Sequence, residues 1–193
     1  MKIGIYGGSF NPITPGHLAV IRAALLHMDF LIIMPVGVHP WGKRLAPYKH
    51  RVNMINAALR DNNISRITVL PGNNYPTAEL MRRLRLCLPK SSFAHLELFV
   101  VIGSDNAEHI NKWTQYKKLC AENKFVIVPR TYNLNIPLAL FHGSIIVPSK
   151  DSMGCVSATY IRGLVKTKKW KLVRKHGIPV VMAYIKKQRL YTR

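Results

Sequence analysis

Three stretches of the sequence carry side chains whose types and spacing suit work on phosphate groups. The first is Gly7-Gly8-Ser9-Phe10-Asn11-Pro12-Ile13-Thr14-Pro15-Gly16-His17. Gly7 and Gly8 lack Cβ atoms, so a phosphate can approach the backbone closely. A helix entered after Pro15 would offer free N–H groups and the positive end of its dipole to an anion. His17 then falls in the first turn, where its ring can donate a hydrogen bond to a phosphoryl oxygen as charge builds in a transition state. Alone, a Gly-Gly pair is as well explained by a tight strand-to-helix turn. The stretch is not a Walker loop, since no Gly-Lys-Ser/Thr follows, and its glycine spacing is not that of a dinucleotide fingerprint.

The second stretch, Gly154 to Arg162, lies roughly a domain length away. Ser157 or Thr159 can cap a helix, and the capped N-terminus makes an anion site. Arg162 projects one turn on, with a guanidinium fork that matches phosphate oxygens. An ordinary cap with a surface arginine explains the same letters. The third stretch, Gly103-Ser104-Asp105 to Trp113, follows an apolar run. Asp105 can accept a hydrogen bond from a ribose hydroxyl or an amide, and Trp113 offers a flat face to a heterocycle. A helix N-cap at Asp105 and a packed tryptophan compete with that reading.

These segments need a scaffold that brings them together. Short apolar runs at Lys2–Tyr6, Phe30–Pro35, Ile67–Leu70, Leu96–Ile102, Phe125–Val128 and Ile145–Val147 read as strands. Helical spacing separates them over His17–His27 (Leu18, Ile21, Leu25, Leu26), Tyr48–Arg60 (Val52, Ile55, Ala58, Leu59) and Thr77–Leu88 (Leu80, Leu84, Leu88). Strands that are apolar throughout and alternate with helices predict a parallel sheet covered on both faces: a doubly wound α/β fold. Its ligands belong at the carboxyl ends of the strands, where the first and third stretches lie. The end of the chain changes character. Helices over Ala158–Val165 and Ile178–Lys187, joined by the basic run Lys166–His176, predict a helical C-terminal subdomain over residues 150–193 of a single 1–193 domain.

With 193 residues and 48% hydrophobic content the chain can fill a core. No apolar run is long enough to span a bilayer and no signal-peptide layout opens the chain, so no membrane partner and a cytoplasmic location are expected. Cys87, Cys120 and Cys155 have no metal-ligand spacing. The 29 basic against 8 acidic residues, net +21, draw polyanions. Basic residues are spread from Lys2 to Arg193 with one dense run, and that run holds a single aromatic, Trp170. The expectation is therefore nucleic-acid binding that is only weak and non-specific.

Gly8, Phe10, Pro12, Thr14, Gly16 and His17 resemble the Gly-x-Phe-x-Pro-(His/Thr)-x-Gly-His signature of a nucleotidyltransferase superfamily. Within it, the chain is similar to the nicotinate/nicotinamide mononucleotide adenylyltransferases. Thr14 stands where many bacterial members carry histidine and resembles eukaryotic-type members. Ser157, Thr159, Ile161 and Arg162 match the family's Ser-Ser-Thr-x-Ile-Arg, with Ala158 replacing the second serine. Asp105 and Trp113 match Gly-Ala-Asp-(x)7-Trp, with Ser104 in place of alanine. Asn74 to Leu80 resembles Ser-Tyr-Thr-(x)2-Thr-Leu, with Pro76 at the first threonine and Thr77 one place later. Pro35 to Leu45 with His50, Arg51 and Met54, then Pro129-Arg130, the closing helix from Ile178 and the Leu190-Tyr191 tail follow the family in order.

The resemblance implies a Rossmann-like nucleotidyltransferase that joins the AMP part of ATP to nicotinate or nicotinamide mononucleotide, giving the dinucleotide of NAD biosynthesis and pyrophosphate. It implies catalytic roles for His17, Lys43 and Arg162. ATP contacts would come from Gly7, Gly8, Ser9, Phe10, Gly16, His17, Gly103, Asp105, Arg130, Ser157, Thr159 and Arg162. Acceptor contacts would come from Ser9, Phe10, Lys43, Tyr75, Thr77, Asp105 and Trp113. Mg²⁺ would be carried by ATP with no dedicated metal ligands, and a homo-oligomer is open. Two other readings stay open. Phosphopantetheine adenylyltransferase shares Thr14, but Trp113 and the Leu190-Tyr191 tail stand against it. A non-enzymatic nucleic-acid-binding module draws support from the net charge and the run Lys166, Lys168, Lys169, Lys171, Arg174, Lys175.

Overall fold

The structure, a computed structural model, describes residues 1–38, 42–71, 74–87, 95–129, 135–147 and 156–192. Each apolar run forms a strand: β1 (Lys2–Gly8), β2 (Phe30–Pro35), β3 (Ile67–Val69), β4 (Glu97–Gly103), β5 (Lys124–Val128) and β6 (Ile145–Ile146). They pair side by side in the order β3-β2-β1-β4-β5-β6, and every pairing is parallel. The chain builds outward from β1 to β3, then returns to the other side of β1 as β4. The strand order reverses between β1 and β4, and a doubly wound sheet opens a ligand crevice beyond the carboxyl ends at such a point.

The unbroken apolar character of the strands follows from coverage on both faces. Leu31, Ile33, Phe99, Val101, Val126 and Val128 point to one face, where α1 (Pro15–Leu25), α2 (Tyr48–Asp61), α6 (Ala158–Lys166), α7 (Trp170–His176) and α8 (Pro179–Lys187) add their apolar sides. Ile5, Met34, Val100, Ile102, Phe125 and Ile127 point to the other, against α3 (Thr77–Cys87), α4 (Ser104–Glu108) and α5 (Tyr116–Glu122). The C-terminal helices share the first core with α1 and α2. Tyr184 of α8 lies against α2, its Oη accepting from Asn53 Nδ2 at 3.0 Å and lying 2.9 Å from His50 Nδ1. Among the described residues no helix is long and apolar enough to cross a membrane.

Several details depart from the sequence reading. The basic run expected to be a connection contains α7, a helix that buries Val173 and turns its lysines outward. Helix α4 bears out the competing reading of a helix at Asp105, with its cap two residues earlier at Gly103, and helix α5 was not expected. Leu26, placed on the inner face of α1, lies beyond the last turn as the C-cap and is 80% exposed. In α3 the fully buried positions are Ala78 and Met81, while Leu80 and Leu84 are only partly buried; Leu88 lies outside the described residues.

Gly4 sits mid-strand in β1 beneath Met28, which follows α1. A Cβ there would stand 2.5 Å from Leu31 Cδ2 and 2.8 Å from Val101 Cγ2, with flanking strands on both sides. Neither neighbour can withdraw without disturbing the core between sheet and helix. Gly4→Ala is expected to destabilise the fold by about 1–3 kcal/mol through overpacking. Urea unfolding checks this: the midpoint should fall at unchanged slope.

Candidate active site

β1 delivers the chain to the crevice at Gly7 and Gly8, and the loop through Thr14 leads into α1. Thr14 is the N-cap and Pro15 takes the first helical position, where its missing N–H costs nothing. His17 is the third residue of the helix. Its Nδ1 accepts the backbone N–H of Thr14 at 3.0 Å and lies 2.8 Å from Thr14 Oγ1. A backbone N–H can only donate, so Nδ1 must present its lone pair; this places the ring proton on Nε2. The ring is therefore set as a donor at its far nitrogen. Phe10 packs against it with centroids 5.1 Å apart, and Tyr6 meets Phe10 edge-on at 5.3 Å. Phe10 is buried to 1% exposure in left-handed backbone, φ 44°, so its side chain supports the loop from below.

Arg51, on α2, is 1% exposed. Its guanidinium donates to Ser9 O at 2.8 Å, Val36 O at 2.7 Å and Ala46 O at 3.0 Å, and stands over the Tyr48 ring at 5.4 Å. Burial lowers its pKa, yet an arginine stays charged through shifts of this kind. The clamp joins the loop after β1, the loop after β2 and the entry to α2. Because Ser9 O is drawn to Arg51 and the Ser9–Phe10 peptide is trans, the Phe10 N–H faces the opposite way. The Phe10 ring itself is enclosed in the core.

The second expected anion site converges on the same loop. Ser157 is the N-cap of α6, its Oγ accepting the Tyr160 N–H at 3.0 Å. Arg162, one turn on, donates through Nη2 to Thr159 Oγ1 at 3.1 Å and through Nη1 to Asn11 O at 2.7 Å. Asn11 is 3% exposed, and its Oδ1 accepts from Ala46 N–H at 3.0 Å and from Tyr191 Oη at 2.8 Å. Burial pushes the Tyr191 phenol well above its ordinary range against the opposing pull of Arg162 and Arg51, so the group remains a donor.

The third stretch leaves β4 at Gly103, which caps α4, so the carboxyl ends of adjacent strands β1 and β4 finish at Gly8 and Gly103. Asp105 is exposed within the first turn of α4 and not at its cap. Trp113 is half-buried against the second core. Tyr75 and Thr77 stand at the start of α3 with the Arg83 guanidinium 4.1 Å over the Tyr75 ring. Their segment is tied to the loop after β2 by the Val38 N–H donating to Asn74 Oδ1 at 2.9 Å. Lys43 lies on that loop side, lining a cleft of ≈ 240 Å³ with Gly37, Val38, Leu45 and Arg51. Contacts thus join Ser9, His17, Thr159 and Arg162 around one loop, with Ser157 capping the helix that carries Thr159 and Arg162; Lys43 lies by Val38, which Asn74 ties to the segment of Tyr75 and Thr77. Arg130 lies outside the described residues, as do Gly154 and Cys155. Among the described residues no three His, Cys, Asp or Glu side chains gather as a metal site.

The sequence reading named no role for Asn11 or Arg51. Arg51 had a signal: it shares the buried stripe of α2 with Met54, Ile55 and Ala58, and an arginine on an apolar stripe needs partners. Asn11 had none, since its partners are up to 180 positions distant.

Residues 5–164 match the cytidylyltransferase-like family. A curated relative named "Probable nicotinate-nucleotide adenylyltransferase" in Carboxydothermus hydrogenoformans is 30% identical over 98% of both chains. A relative of the same name in Dehalococcoides mccartyi is 29% identical over 100% of this chain and 98% of its own. Plasmodium falciparum nicotinic acid mononucleotide adenylyltransferase complexed with NaAD shares the fold, with a TM-score of 0.80 at 24% identity over 98% of this chain and 97% of that one. Its structure complexed with APC gives 0.78 at 25%, over 98% and 96%. A crevice at the strand-order reversal, a glycine loop leading into a histidine-bearing helix start and near-full-length identity to those relatives lead to one assignment: this chain belongs to the nicotinate-nucleotide adenylyltransferases, within the cytidylyltransferase-like family.

Proposed function

We propose that the chain joins the adenylyl group of ATP to nicotinate or nicotinamide mononucleotide, forming the dinucleotide and releasing pyrophosphate. The observation that carries this is the meeting of both phosphate-binding segments at Asn11, where Arg162 of α6 bonds the loop that leads to His17. The names of the curated relatives and the complexes of the Plasmodium enzyme with NaAD and an ATP analogue support the choice of substrates.

The 5′-phosphate of the acceptor attacks the α-phosphorus of ATP; one P–O bond forms and the bond to the pyrophosphate leaving group breaks. The nucleophile is already ionised, so no covalent intermediate and no general base are required, and placement with charge stabilisation supplies the catalysis. His17 donates from Nε2 to a phosphoryl oxygen as negative charge develops. Arg162, Ser157, Thr159 and the backbone of Gly7 to Phe10 with Gly16 hold the triphosphate; Gly103 and Asp105 flank the nucleoside, and Arg130 completes the ATP contacts. Trp113 stacks on the pyridine ring, with Tyr75 and Thr77 beside it and Lys43 drawing phosphate charge inward. The donors described around the loop are cationic or neutral, which suits phosphate oxygens and not a cation, so Mg²⁺ enters on ATP. Its chemistry is neutralisation of triphosphate charge.

Turnover assays with ATP and each mononucleotide, following dinucleotide and pyrophosphate together, test the reading. Transfer to phosphopantetheine alone, or none, rejects it. His17→Ala is expected to lower turnover by roughly 10²-fold or more while the protein stays folded; near-wild-type turnover removes His17 from catalysis. Trp113→Ala should raise KM for the mononucleotide far more than KM for ATP, and equal effects on both would count against stacking. The charge gives a further test, because polyanion binding falls steeply with salt. Weak duplex and single-strand binding should vanish near physiological salt while adenylyl transfer persists; tight, sequence-selective binding that survives there promotes the nucleic-acid reading.

A further inference from the structure

We infer that Tyr191, near the C-terminus, is a positioning residue of the phosphate loop, acting through the carboxamide of Asn11. The inference rests on the adenylyl-transfer reading above.

Asn11 follows Phe10, whose left-handed backbone is a costly conformation for a side chain of that size. Such a turn persists only when its surroundings hold it. Three donors do so at Asn11: Arg162 on its carbonyl at 2.7 Å, and the Ala46 N–H at 3.0 Å and Tyr191 Oη at 2.8 Å on its side-chain oxygen. Both bonds to Oδ1 are received, so that atom must be the amide oxygen. The tyrosine is itself placed with effort. Beyond α8 the chain turns back through left-handed Arg189, φ 51°, and left-handed Tyr191, φ 62°. Leu190 donates its N–H to Ile185 O at 3.1 Å, and both Leu190 and Tyr191 pack against the first core. Two unfavourable backbone conformations in three residues aim one hydroxyl at one carboxamide.

The bond reaches further than Asn11. Arg162 grips the carbonyl of the same residue, so loosening the carboxamide shifts the anchor of the guanidinium proposed to hold the triphosphate. On the other side, the Phe10 N–H and the His17 ring depend on the same loop. Loss of the Tyr191 hydroxyl should therefore disturb ATP and the transition state most; the acceptor side shares Ser9 and Phe10 with this loop, but Tyr75 and Trp113 lie on other elements.

Tyr191→Phe keeps the packed ring and removes only the donor. We expect this variant to fold, kcat to fall about tenfold, affinity for a non-hydrolysable ATP analogue with Mg²⁺, measured by calorimetry, to weaken about fivefold, and KM for the mononucleotide to stay within about twofold. Asn11→Leu should lose at least as much, and adding Tyr191→Phe to it should cost little more, since both remove one bond. An unchanged kcat, unchanged analogue affinity, or losses that multiply in the double variant each overturn the role; if Asn11→Leu does not fold, Tyr191→Phe alone decides. A wild-type protein that transfers to neither mononucleotide rejects the reading of function instead, and the analogue affinity of Tyr191→Phe still decides the inference.

Discussion

A single buried guanidinium organises the catalytic end of this sheet. Arg51 is enclosed beneath three loops, and no carboxylate pairs with it among the described residues. Removing such a charge from water costs several kcal/mol unless hydrogen bonds replace its hydration. Here backbone carbonyls do so: those of Ser9, Val36 and Ala46, with Gly37 O at the margin at 3.4 Å. The first three belong to different turns, so satisfying the charge and shaping the crevice are one requirement. The arrangement also leaves a fixed positive charge behind the glycine loop. That charge favours anions over neutral ligands in front of the loop.

The same loop is held from its other side by the end of the chain. Arg162 and Tyr191 approach Asn11 from α6 and from the tail beyond α8, and both depend on helices that share their core with α1 and α2. The described shape of the amino-terminal loop is therefore tied to the packing of the last helices. Local segments supply the glycines, the helix start and the histidine; their geometry is a long-range property. This is why the C-terminal helices, which add no strand to the sheet, are nonetheless tied to its catalytic end.

Those two kinds of information differ in how far they can be read from the chain. The strands were legible because burial on both faces demands unbroken apolar runs, and Phe30–Pro35 even agrees at both boundaries. Helix α1 was legible from its spacing and from Pro15 at its start. Helix α7 was not: it buries only Val173, so its seven residues have no apolar period and read as a charged connection. Helix α5 is equally short, and its Leu119 and Cys120 are buried beside an otherwise lysine-rich surface. In the site, His17, Ser157 and Arg162 were visible as residue types at helix starts. The pairing of Asn11 with Tyr191 was invisible, because nothing in either neighbourhood encodes a partner so distant. Arg51 was half-visible, since a charge on a buried stripe announces a need for partners without naming them.

The helix cap also bears on which chemistry His17 can perform. With Nδ1 engaged as an acceptor by the Thr14 N–H, a protonated ring would set two hydrogens against each other at that contact. The cap therefore favours the neutral ring with its proton on Nε2, and a neutral Nε2–H has no lone pair with which to take a proton from a nucleophile. The geometry suits a hydrogen-bond donor to developing negative charge and disfavours a general base. That matches the demand of the proposed reaction, in which the attacking phosphate is ionised before it arrives. In that proposed reaction, charge at the phosphorus would be left to the permanent cation of Arg162, to backbone N–H groups and to the oriented imidazole. None of these has to gain or lose a proton during the step. Thr14 contributes by holding His17 in this tautomer.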